Sequence, residues 1–131
     1  MDKNALKQLD NYNGTQAYTR LRPYSMVASD GAIALAEAGD CFWLLGEIAG
    51  AQILPQIRQD HSLQGLQFWT LTPNGKGAVL QCERDTDDVA WSKQIPFTDF
   101  PFDALPVVKI WVAPTTLREG NVMVASLPSE H

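Results

Sequence analysis

The chain has 131 residues, 45% of them hydrophobic, a formal net charge of −5 and a pI near 4.8. That length fits one domain, residues 1–131, which buries roughly 60% or more of its unfolded surface without staples. The acid excess is spread out and no basic stripe is present to neutralise phosphates, so direct nucleic-acid binding is disfavoured; no apolar run approaches the ~20 residues of a membrane span.

Residues 3–10, Lys-Asn-Ala-Leu-Lys-Gln-Leu-Asp, predict a short helix with Leu6 and Leu9 on one side. Asn11-Tyr12-Asn13-Gly14 is a turn. Tyr18–Leu21 and Tyr24–Ala28 have strand character around Pro23. The opening Met1-Asp2-Lys3-Asn4 lacks a signal peptide's apolar segment, so a cytoplasmic protein is expected.

Asp30–Arg58 is the longest helical region, and Gly39 divides it. One helix is expected over Asp30–Ala38, with Asp30 able to cap it. A second is expected from Asp40, a cap candidate by its carboxylate, to about Leu54. Pro55 ends or kinks it. At roughly 100° per residue, Cys41, Leu44, Leu45, Ile48 and Ala49 share a core stripe, with Gln52 at its margin. Trp43 lies off that stripe, beside Gly46, Gly50 and Leu54. Glycine costs about 1 kcal/mol relative to alanine in a helix. Two of them beside a tryptophan predict that a second element, of this chain or another, packs closely there.

Leu66–Thr72 reads as a strand, and Asn74-Gly75 as the centre of a type I′ hairpin. That register sets Leu71 against Ala78, Trp69 against Leu80 and Gln67 against Cys82. Trp69, Leu71, Leu80 and Cys82 then face the core, and Phe68, Thr70, Val79 and Gln81 face outward. Val89–Ile95 is a third strand on which Lys93 breaks the alternation of Val89, Trp91 and Ile95, as an edge or a bulge would allow. Pro96-Phe97-Thr98-Asp99-Phe100-Pro101-Phe102 is an irregular loop expected to lay its rings over the core. Thr98-Asp99 is its polar pair, and Asp99 is expected to fix the loop by accepting from backbone N–H groups. Val107–Val112 and Val122–Ala125 supply two more strands around an Arg118–Asn121 turn. Helices first and hairpin-linked strands afterwards make the class α+β: an antiparallel sheet of about four to five strands with two or three helices packed on one face.

Ser29-Asp30-Gly31, Trp43-Leu44-Leu45 through Ile48-Ala49, Phe68-Trp69-Thr70-Leu71, Ile95 to Pro101, and Leu127-Pro128-Ser129-Glu130 form a set. Together they resemble a family of small uncharacterised proteins, a domain of unknown function, encoded by bacteria and their phages or mobile elements. The resemblance implies no catalytic residues. It departs at His131, where an aromatic residue is usual.

The residues themselves point the same way. There is no Gly-x-Ser-x-Gly elbow, and His61 is the one internal histidine. Asn74-Gly75-Lys76-Gly77 joins two strands and opens no helix, so it is a turn and not a phosphate cradle. Asp87-Asp88 sits in a charged turn. Cys41 and Cys82 lack a CxxC and fall on core faces, so reduced thiols, no metal and no cofactor are expected. The binding candidates are Trp43, Gly46, Gly50, Trp69, Trp91, Thr98 and Asp99. The expectation is a non-enzymatic accessory or protein-interaction domain, of phage or mobile-element type, acting through a protein partner or as a homodimer. The alternative is a small-molecule binding domain or enzyme whose pocket joins Thr98-Asp99 to Trp69 or Trp91. A third reading, an acidic imitator of DNA charge, rests on the −5 alone.

Overall fold

Helical periodicity before residue 60 and two-residue alternation after it fold into two layers. In the computed structural model, which describes residues 1–131, the helices are α1 (Lys3–Lys7), α2 (Asp30–Ala38), α3 (Phe42–Ala51) and α4 (Pro55–Arg58). The strands are β1 (Thr19–Arg20), β2 (Val27–Ala28), β3 (Gln67–Asn74), β4 (Gly77–Asp85), β5 (Asp88–Ile95), β6 (Val108–Leu117) and β7 (Gly120–Ser126). Single 3₁₀ turns occupy Leu9–Asn11, Ser62–Gln64 and Pro128–Glu130.

All strands join one sheet in the order β1-β2-β7-β6-β3-β4-β5. The α+β class holds, but the sheet is mixed and seven-stranded, not an antiparallel sheet of four or five strands. β2 runs parallel to β7, pairing Val27 with Val124 and Ala28 with Ala125. β1 and β2 are two residues each, too short to show a period, and β2 is held by a partner almost a hundred residues away.

Helix boundaries follow local chemistry. The Ser29 hydroxyl accepts from the Ala32 N–H at 3.2 Å, so Ser29 and not Asp30 caps α2. Asp40 does not cap α3. It takes φ +49°, a left-handed turn that Asp tolerates better than most residues, and α3 starts at Phe42 behind Cys41. Gly39 is needed for space: a Cβ there would lie 2.5 Å from the Phe100 ring. Pro55 occupies the first turn of α4, where its missing N–H costs nothing, so it opens a helix as well as ending one.

The core stripe Cys41, Leu44, Leu45, Ile48 and Ala49 is buried as expected, with Leu6, Leu35, Trp69, Leu71, Leu80, Cys82, Ile110 and Val112. The β3–β4 register differs by two residues from expectation. Leu71 pairs with Leu80 and Trp69 with Cys82. The loop is Gly75-Lys76, with positive φ only at Gly75, the pattern of a type II′ turn. A slip of two keeps every side chain on its face, so the expected inner and outer sets stand.

Gln67 is fully buried, and its amide is satisfied. It donates to Gln52 Oε1 at 2.8 Å and to the Leu63 carbonyl at 3.0 Å. It accepts from Gln52 Nε2 at 2.9 Å and Trp69 Nε1 at 2.8 Å. The 127–131 segment is clasped to the start of α2. Glu130 accepts from Ser29 Oγ at 2.6 Å, the Leu127 N–H at 2.9 Å and the Gly31 N–H at 3.0 Å. The His131 ring lies against Trp111, tilted by 58° with centroids 4.9 Å apart.

Candidate functional site

Residues three, four and seven apart on a helix share a face. On α3 that rule brings Trp43, Gly46, Glu47 and Gly50 together, and Leu54 follows just past the helix. These residues, with Ala51, form one wall of an open groove of about 350 Å³. Trp91 and Lys93 of β5 form the opposite wall, and Tyr24 closes one side. Trp91 is half-buried, held edge-on by Trp69 at a centroid distance of 5.7 Å. Lys93 spans to Glu47, its Nζ 2.9 Å from each carboxylate oxygen.

The two glycines differ. A Cβ at Gly50 would sit 3.3 Å from the Tyr24 hydroxyl, so a neighbour does pack there. At Gly46 nothing lies within 4 Å. The expectation of close packing is therefore met at Gly50 and overturned at Gly46, which leaves a notch in the helix surface. A second hollow, lined by Arg20, Arg22, Ile33 and Phe42 among others, meets the groove at Tyr24 and Gly46.

The structure brings Trp43, Gly46, Gly50 and Trp91 together and separates the rest. Trp69 is 1% exposed and is core, not a wall. Thr98 N–H donates to the Lys76 carbonyl at the hairpin end of β4, whereas Trp69 pairs with Cys82. Six residues of strand put the two roughly 20 Å apart. Thr98-Asp99 and the tryptophans therefore do not share a pocket. Asp99 is exposed and accepts no hydrogen bond; Thr98 Oγ1 is the acceptor that fixes the loop, taking the Phe100 N–H at 3.2 Å. Of the loop's three phenylalanines only Phe100 is buried. Phe102 tilts against it at 4.9 Å, and Phe97 is 71% exposed.

Cys82 lies under Trp91, its cross-strand partner. Burial pushes its thiol up to about 12. Burial, helped by the Asp40 charge, does the same to Cys41. Both are free thiols, protonated at neutral pH, and neither is an activated nucleophile. No group of three or more His, Cys, Asp or Glu side chains is placed to hold a metal ion, and no helix is long and apolar enough to cross a membrane. Beyond the groove, Arg84 ties Asp60 (2.6 Å) to Asp88 (2.9 Å), and its hydrogen bond holds the Asp60 carboxyl below the usual range.

Tyr24 and the Lys93–Glu47 bridge are the parts of the groove that sequence reasoning missed. Tyr24 carries no local signal. Lys93 does, as the residue that breaks the alternation of its strand.

A family model described as "Family of unknown function (DUF6876)" matches residues 3–131. No curated protein and no solved structure matches the chain.

Proposed function

The chain belongs to the family of unknown function DUF6876, and we propose that it is a non-enzymatic protein-interaction domain whose binding surface is the groove between α3 and β5. One observation carries this reading: two half-buried tryptophans, Trp43 and Trp91, face an open notch at Gly46, which costs the helix stability and is filled by nothing in the chain. Tryptophans in a concave, partly desolvated setting are typical anchors of protein interfaces. The surrounding groups are one ion pair and aromatic walls, which suit recognition. The two reduced thiols suit a cytoplasmic protein. The family likeness read from the sequence extends the proposal to an accessory protein of a bacterial phage or mobile element.

Gly46→Leu tests it. The new side chain enters open space, so the variant folds, but it fills the notch. Peptides selected from a random display library on the wild type should bind the variant at least tenfold more weakly, at an unchanged or raised melting temperature. Selected peptides indifferent to Gly46→Leu would defeat the reading. A wild-type dimer in sedimentation that the same substitution dissociates would identify a second copy as the occupant.

A further inference from the structure

β5 is the outermost strand of its side of the sheet. β4 is its only strand partner, and no turn, loop or cap hydrogen bond reaches the backbone of Asp88–Ile95. An eight-residue edge is thus left with its outward N–H and C=O groups free. At the opposite side the last strand, β1, has two residues.

The helix-side residues of this same edge strand are the groove wall. Trp91 and Lys93 pair with Cys82 and Leu80, which face the core, so they point toward the helices. A strand laid beside β5 would sit ~4.8 Å farther out. Its helix-side residues would stand next to Trp91 and Lys93, within ~5.5 Å of their Cβ atoms. That is the space which Trp43, Gly46, Gly50 and Leu54 border from α3. The edge is guarded, with α4 lying close to β5, but its outer backbone groups are unpaired. The register shifts at Cys82/Glu83 and Glu83/Asp85 disturb one end, and the inward charge of Lys93 is held down by Glu47. Such features oppose pairing with any passing strand and leave pairing with a strand whose side chain fits.

We propose that the β5 edge and the groove form one site for an extended peptide segment of a partner protein, which adds to the sheet as an eighth strand and seats one apolar side chain between Trp43 and Trp91. This rests on the groove reading above and states the conformation of its occupant. Main-chain hydrogen bonds would supply affinity, and the notch at Gly46 would supply selectivity.

A peptide from the display selection, chosen because Gly46→Leu weakens it, tests this by amide hydrogen exchange on the full chain. Alternate amides of Asp88–Ile95 should slow at least tenfold when it binds. N-methylation at alternate peptide positions should weaken binding at least tenfold, with the intervening positions insensitive. A Gly46-sensitive peptide that leaves β5 exchange unchanged would overturn strand addition while the groove stands, and would indicate a helical or compact occupant. Absence of any Gly46-sensitive peptide would overturn both.

Discussion

The two ends of the sheet are built on opposite plans. At the β1–β2–β7 end the chain closes over itself. Glu130 satisfies Ser29 and Gly31, Asp30 accepts the Gln16 N–H at 2.9 Å, the Asp30 N–H reaches Thr15 Oγ1 at 3.0 Å, and Arg20 pairs with Glu119. At the β5 end an eight-residue strand is left free beside a groove with an unfilled notch. Edge strands invite unwanted pairing. A fold able to seal one end with short strands and a carboxylate, yet leaving the other open, marks the open end as the place where binding is expected.

The largest effect expected acts on both ends through the shared core. Cys41 and Cys82 are held near 12 in the folded chain against an ordinary value of 9.0. The folded state keeps protons that the unfolded chain releases. Stability is therefore full below about pH 9 and falls as pH rises toward 12, by about 1.4 kcal/mol per thiol per pH unit. Urea midpoints across that range should fall steeply, and replacing both cysteines by alanine should flatten the curve.

Next comes the closed end alone. Glu130→Ala removes the acceptor of three hydrogen bonds and should cost roughly 2–3 kcal/mol. Hydrogen exchange should rise first in β2 and at the start of α2, and β5 should be unaffected. Equal loosening of β5 would erase the contrast between the ends.

At the open end, Gly46→Ala should stabilise the chain by about 1 kcal/mol, because the methyl enters open space on a helix. Gly50→Ala should gain less, since the Tyr24 hydroxyl must give way by a few tenths of an ångström. Thermal melts of the two variants give the difference directly. Lys93→Ala should cost about 0.5 kcal/mol, the usual worth of a partly exposed ion pair. Smallest of all, Asp99→Ala should leave the urea midpoint unchanged within about 0.5 kcal/mol, because that carboxylate accepts no bond and Thr98 fixes the loop.

The open end was more legible in the sequence than the closed one. Helical spacing alone brought Trp43, Gly46 and Gly50 to one face and set Leu44, Leu45 and Ile48 on the other, because the period of a helix is local. The β3–β4 faces were legible for the same reason, even with the loop displaced from Asn74-Gly75 to Gly75-Lys76. The closed end depends on pairs far apart in sequence: Val27 with Val124, Ser29 with Glu130. No two-residue strand announces such a partner. Asp30 and Asp99 misled because carboxylates are good acceptors in general, whereas Ser29 and Thr98 are the residues whose short hydroxyls reach the free N–H groups. In the groove, Trp91 was legible as a residue, but its position opposite Trp43 was not, because that depends on how α3 crosses the sheet.

The amides of half-buried Gln52 and fully buried Gln67 make that crossing discrete. Each donates to and accepts from the other, and the remaining donors reach the Ile48 and Leu63 carbonyls. An apolar contact between helix and strand tolerates sliding, whereas this reciprocal lock has one setting. Displacing α3 by a turn would leave the buried Gln67 amide short of its Gln52 partner in a dry interior. The pair therefore acts as an indexing pin: it sets the phase of α3 against β3, and through that phase the distance at which Trp43 faces Trp91 across the groove.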